Sequence, residues 1–297
     1  MTRTPLMIVI LLLGLLLISC EEQDPYLEII VPSGSPQLAL AYVQDDPNYD
    51  VDVVQGPDGL LSAFTSRSHD AIVAPISLGA EIALGSDDYS LLSTITWGNL
   101  YLATTDRSVG GLDDLSGREL ILFGQEQVPD LVVRHILDRN DIEADLTYVD
   151  SATTASSMML SEEGSIAMVA EPSLSVLKAQ HEDMIAIDLQ QHYRSITGYD
   201  YPQAGIFIAK DLARSTVTAF QRDLKDSIES VNENPIESAS LGVELGFDVD
   251  RDALAGAIPG SNIRYVSALD SKAAMERFLE TFPLSSADKP SDEFYYD

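Results

Sequence analysis

The stretches HDAIVAPISLGAEI, residues 69–82, and GSIAMVAEPSLSVL, residues 164–177, decide the fold of this chain. Val73, Ala74, Ser77 and Leu78 recur as Val169, Ala170, Ser173 and Leu174, each 96 positions later. Both copies run from a short apolar strand, past a proline, into a serine that opens an apolar helical stretch. One strand–turn–helix unit used once in each half predicts two similar α/β halves.

Working outward from the first copy, residues 27–31 read as a buried strand that stops at Pro32-Ser33-Gly34-Ser35-Pro36. A helix follows over 37–43, with Ser35 as N-cap and Pro36 in its first turn. A second strand over 50–54 turns at Gly56-Pro57 into a helix over 60–66. The third strand, 70–74, leads through Ser77 into a helix over 78–84. Residues 89–104 form an extended segment that carries the only tryptophan, Trp97. Strand, loop and helix three times over mean parallel βαβ units.

Around the second copy the pattern restarts. A strand over 118–123 closes at Gly124-Gln125-Glu126 and an amphipathic helix covers 129–139. Strands over 146–149, 165–170 and 185–189 alternate with helices over 151–160 and 174–180. One more strand spans 204–209. Helices then cover 215–231, 235–245, 251–257 and 272–282. Phe220, Leu224 and Ile228 stand at four-residue spacing and need a sheet to cover, the first half's. Residues 285–297 read as a polar tail, loose apart from Phe294-Tyr295-Tyr296.

The N-terminus is an address, not fold. Residues 6–18 are apolar apart from one glycine, too short for an ordinary membrane span and the right length for a secretory signal. They end in Leu17-Ile18-Ser19-Cys20, and Cys20 is the only cysteine. This resembles a bacterial lipobox, which implies cleavage before Cys20, lipid on its sulfur, and a tether over 20–26. An acylated cysteine holds a protein on a membrane with about 0.8 kcal/mol for each buried methylene.

Composition narrows the function. With 297 residues the chain fits two domains of ordinary size. Its 17 basic and 48 acidic residues give a net charge of −31, which excludes nucleic acid as a partner, because phosphates need a positive footprint. Nucleophile elbow, P-loop, zincin helix and dinucleotide fingerprint are all missing. The run Asp248-Val249-Asp250-Arg251-Asp252 hints at a calcium loop, but Ala253 stands where the sharp turn needs glycine. It reads as a carboxylate-rich helix start. No catalytic residue, metal or cofactor is expected.

An exported chain with two α/β halves resembles the solute-binding lipoproteins of ABC importers, nearest the type that binds nitrate, taurine or thiamine precursors. The resemblance rests on VPSGSPQLALAYV after the first strand, GPDGLLSAFTSRSHDAIVAP, ITWGNLYLATT and LSGRELILFG, in that order. It implies a two-lobed type II periplasmic-binding fold, each lobe a mostly parallel sheet flanked by helices. Lobe 1 would take 27–105 and 203–284, and lobe 2 would take 106–202. Two hinge crossings are expected, near 104–107 and 201–206. The resemblance also implies a monomer that hands a small-molecule solute to an ABC permease and its ATPase.

In parallel α/β sheets, ligands sit beyond the carboxyl ends of the strands, where helix N-termini offer free N–H groups. Ser33, Gly34, Ser35, Gly56, Pro57, Ser77, Gly124, Gln125 and Ser173 fall at such ends. Trp97 lies in the segment that leads to the hinge, and Tyr199 and Tyr201 flank the second crossing. Oxyanion sites usually add Arg or Lys, and none stands in these loops. Glu126 and Glu171 stand there instead, which tilts the expected solute toward a pyrimidine-like or amino-bearing one. A sulfonate or nitrate stays open as an alternative, as does an enzyme, a lyase or synthase, on the same scaffold.

Overall fold

The computed structural model describes residues 27–162, 164–284 and 290–297. The expected signal and Cys20 lie outside them. The first half opens with β1 (Leu27–Pro32), two short helices α1 (Ser35–Ala39) and α2 (Ala41–Gln44), β2 (Tyr49–Val54) and α3 (Asp58–Ser66). It continues through β3 (Ala71–Pro75), α4 (Ile76–Ser86) and β4 (Tyr89–Trp97). The chain then crosses to β5 (Leu100–Thr104), β6 (Glu119–Phe123), α5 (Val128–Arg139), β7 (Asp145–Val149) and α6 (Ala152–Ser161). Next come β8 (Ile166–Ala170), α7 (Ser173–Gln180), β9 (Ile185–Asp188) and α8 (Leu189–Thr197). The return begins with β10 (Pro202–Ala209), followed by α9 (Arg214–Glu233), α10 (Pro235–Glu244), α11 (Arg251–Ala257), β11 (Ile263–Ser267) and α12 (Ala268–Thr281).

Two sheets result. One has the order β11-β4-β10-β3-β1-β2, the other β7-β6-β8-β5-β9. Counted within its own half, each runs second, first, third, visitor, fourth, and the first sheet adds β11 beyond its fourth strand. The visitor is the strand delivered by a crossing, and it pairs antiparallel with the third strand: β10 with β3 and β5 with β8. Both sheets are therefore mixed, with an antiparallel strand set among parallel ones. The repeated sentence of the sequence occupies the same place twice, since β3–α4 and β8–α7 are both third-strand units.

Alternation along the strands builds the core. Leu27, Ile29 and Val31 face one way and join Phe220, Leu224, Ile228 and Val231 of α9. Ile30 faces the other way and joins Leu60 and Phe64 of α3. The late helices thus cover the first sheet as their spacing predicts. Buried apolar area of this kind stabilises by about 25 cal/mol per Å².

Three corrections to the sequence reading follow from the pairing. The extended segment over 89–104 is two strands in different sheets, so the first crossing comes at Gly98 and Asn99, ahead of 104–107. Leu100–Thr104 pairs with β8 and β9 and belongs to the second sheet. The second crossing, 198–201, precedes β10, which spans most of the expected 201–206. At Gly98 the crossings nearly touch: an added Cβ would lie 2.4 Å from the Tyr201 ring and 2.5 Å from Gln190 Oε1. Only glycine fits there. Helix α8 and strand β11 are additions that the sequence reading lacked. The described end of the tail is docked: Phe294 and Tyr295 are buried, and the Tyr296 N–H donates to the Leu91 carbonyl at 2.8 Å.

Candidate functional site

A cleft of about 400 Å³ opens where the two halves meet. The first half lines it with Ser33 and Gly34 from the β1–α1 loop, Gln37 of α1, and Val53 and Gln55 at the end of β2. Pro172 and Ser173, at the mouth of α7, come from the second half. The α10–α11 loop closes a third side with Leu245, Gly246, Phe247 and Asp248. All these loops follow the carboxyl ends of strands or cap the helices around them, the position that parallel sheets reserve for ligands.

Local chemistry fixes the walls. Gly34 has φ +100, a backbone conformation that favours glycine, and it starts α1 as its N-cap. Ser33 N–H donates to the Val54 carbonyl at 3.0 Å, and its hydroxyl donates to Gln55 Oε1 at 2.8 Å. These bonds tie the first loop to the end of β2. Gln37 Nε2 donates to the Leu245 carbonyl at 3.4 Å, which ties α1 to the third wall. Asp250 caps α11 by accepting from the Asp252 and Ala253 N–H groups at 2.9 and 3.1 Å. The carboxylate run is thus a helix start, as its sequence indicates.

Beside the cleft the two halves are in contact. Ser35 donates to the Glu171 carbonyl at 3.3 Å and accepts from Asn99 Nδ2 at 2.8 Å. Tyr101 OH donates to the Gly260 carbonyl at 3.2 Å, and α11 packs on α7. Asn99 is 2% exposed and its Oδ1 has no partner. The Tyr101 hydroxyl is pushed up by burial, with Asp188 and Glu171 adding to the rise, so it stays a donor.

Glu171 faces inward at the start of α7. Its Oε2 accepts from the Ser175 N–H and its Oε1 from the Ser175 hydroxyl, both at 3.0 Å. Burial raises its carboxyl above the ordinary range, against the lowering effect of those two bonds. The amino end of α7 is therefore already engaged by a carboxyl group of the protein.

Solved structures share this architecture. A crystal structure of an ABC transporter from Parabacteroides distasonis matches with a TM-score of 0.81 at 22% identity, over 92% of this chain and 99% of that one. A Candida albicans protein with the generic periplasmic binding protein structural fold matches with a TM-score of 0.57 at 12% identity, over 91% of this chain and 93% of its own. This chain has the periplasmic-binding-protein fold. The periplasmic aliphatic sulphonate binding protein SsuA from Escherichia coli shares that fold, with a TM-score of 0.66 at 13% identity, over 87% of this chain and 91% of its own. No protein-family model matches the sequence, and no curated protein is similar to it.

Within the periplasmic-binding fold, the residues picked from sequence separate into groups. Ser33, Gly34 and Ser173 line the cleft together. Ser35 lies next to it, buried in the contact between halves, and stands inside α1 where it was expected to be the cap. Glu171 shares that contact through its carbonyl and spends its carboxylate on Ser175. Gly56 and Pro57 are exposed, just past Gln55, and Ser77 is half-buried in the first turn of α4, outside the lining. Gly124, Gln125 and Glu126 form the turn after β6, where the Glu126 N–H donates to Asp130 Oδ2 at 2.8 Å. They too stand outside the lining.

The aromatic residues sit at the hinge. Trp97 is 3% exposed and lies under the Arg264 guanidinium, 4.5 Å from ring centroid to Cζ. Tyr201 is fully buried against Tyr193, ring centroids 5.3 Å apart, which leaves its face no room to stack on a solute. Tyr199 is 40% exposed. Between the two tyrosines, Asp200 accepts from Arg264 Nη2 at 2.6 Å and also pairs with Arg194. It ties the second half to β11 of the first.

Sequence reasoning missed Gln37, Gln55 and the whole third wall. Gln37 and Gln55 flank the loops that the sequence reading placed at strand ends. Gly246-Phe247-Asp248 looked like a plain helix break, and nothing local brings it to a cleft built from residues far upstream. Among the described residues, no group of three or more metal-ligating side chains occurs, and no helix is long and apolar enough to cross a membrane.

Proposed function

We propose that this protein is the solute-binding component of an ABC importer, held outside the cytoplasmic membrane by lipid on Cys20. It captures a small solute between its lobes and hands it to a permease driven by an ATPase. The observation that carries the reading is the cleft. It lies where loops at the carboxyl ends of the first sheet's strands face the mouth of α7 in the second half. Its volume suits a small organic molecule. The neighbours named for ABC transport and sulphonate binding support the same reading. The lipobox-like Leu17-Ile18-Ser19-Cys20 supports the anchor.

The mechanism follows from the two crossings. Closing the lobes buries solute against both walls, and the population shifts by the solute's differential affinity for the closed form. Mass spectrometry of solute released from protein purified out of its native membrane tests the reading. One small molecule released in stoichiometric amount, and raising the melting temperature when added back, is expected. Turnover of that molecule, or its retention by a variant with Ser173→Trp filling the cleft, would overturn it.

A further inference from the structure

The charge of the cleft is unusual for a fold whose solved neighbours include sulfonate binders. No lysine, arginine or histidine is among its lining residues. The one ionisable side chain there is Asp248, which follows Phe247 in the same wall. Anion sites commonly use a helix N-terminus, and α7 opens at this cleft through Pro172 and Ser173. Yet Glu171 occupies that end, with both carboxylate oxygens taken up by Ser175. An incoming oxyanion would meet the Asp248 carboxylate in the lining and no cation. The net charge of −31 repels it from a distance as well.

Resting on the solute-binding reading, we infer that the captured solute is a cation, an organic ammonium whose charged head sits between the Asp248 carboxylate and the Phe247 ring. A carboxylate and an aromatic face are the two groups that hold an ammonium best. Ser33, Gln55 and Ser173 supply polar contacts for the rest of the molecule. Glu171 has a separate part: it fills the anion-binding end of α7 and so rejects sulfonates and nitrate. The first half provides the contrast, because Pro75 stands at the position equivalent to Glu171.

Three pools of probes test this by thermal shift and calorimetry. The first holds choline, 2-phenylethylammonium and butylammonium. The second holds their uncharged isosteres, and the third holds methane-, butane- and benzenesulfonate. The wild-type protein should respond to the ammonium pool alone, and more weakly as salt rises. Asp248→Asn lies in an exposed loop and leaves the fold intact. It should weaken the best ammonium by about tenfold, and Phe247→Leu by about threefold. The double variant Glu171→Gln with Asp248→Asn should begin to bind sulfonates. Preference of the wild-type protein for sulfonates or uncharged probes would overturn the cation while leaving solute capture standing. Ammonium binding that ignores Asp248→Asn would overturn the assignment of the site. Silence toward all three pools would count against the cation and against solute capture together.

Discussion

The two third-strand units, β3–α4 and β8–α7, begin alike and end differently. Val73 and Ala74 match Val169 and Ala170, and both strands hold a visitor strand antiparallel. Past that point Pro75 is answered by Glu171, and Gly79 by Ser175. In the first half the helix is pressed onto its sheet: a Cβ on Gly79 would lie 2.0 Å from Phe207 Cε2. The corresponding turn of the second half instead holds a polar device, in which Ser175 grips the Glu171 carboxylate. One architecture thus serves twice, with an apolar packing joint in one lobe and a hydrogen-bonded carboxyl group in the other.

That contrast breaks most visibly at Phe207. The residue is fully buried against Phe64, Phe294 and α4. Phe207→Ala should cost about 3–5 kcal/mol in urea denaturation, with the loss falling on the first lobe. Gly79→Ala should cost about 1–3 kcal/mol by overpacking. Ser175, at the equivalent position, already carries a Cβ. A cost for Gly79→Ala below the experimental error would mean that α4 can shift, and the packing-joint description would fail.

Smaller effects test the polar half. Ser175→Ala removes the hydroxyl bond to Glu171 and leaves the backbone bond, so about 1 kcal/mol is expected. The pH dependence is subtler. Burial raises the Glu171 carboxyl, so the folded protein takes up this proton at a higher pH than the unfolded chain, whose glutamates titrate at about 4.3. The cost of holding Glu171 ionised is fully present above the raised folded value and vanishes below the unfolded one. As pH falls through that window, the wild-type protein should gain stability relative to Glu171→Gln. Denaturation midpoints for the pair across the acid range check this. A constant difference between them would show Glu171 titrating alike in both states.

How much of this the sequence carried depends on locality. β3 and β8 were legible because an apolar run ends at Pro75 in one and just ahead of Glu171-Pro172 in the other. α9 was legible because Phe220, Leu224 and Ile228 repeat at helical spacing. β11 was not: Ile263-Arg264-Tyr265-Val266-Ser267 is an edge strand with a charged residue inside it, and its only strand partner in the sheet is β4. Helix α8 does carry Leu189, Tyr193 and Ile196 at helical spacing, but it is short and starts directly at the end of β9, with no loop to announce it. The turn at Gly98 was hidden because apolar residues continue on both sides while the chain changes sheets. For the site, Ser33, Gly34 and Ser173 followed from the rule about strand ends. Phe247 and Asp248 come from a loop that joins the cleft only through tertiary packing.

The hinge offers an optical consequence. Trp97 is the chain's only tryptophan, and it lies at the pivot beneath the Arg264 guanidinium. Arg264 belongs to β11, which pairs with β4, so the cation stays with the ring as a fixed part of the first half, and excitation at the red edge selects this indole from the tyrosines. The molecule thus carries a single indole beside Gly98, where the chain passes between the sheets, and its emission spectrum reports on that crossing without a label.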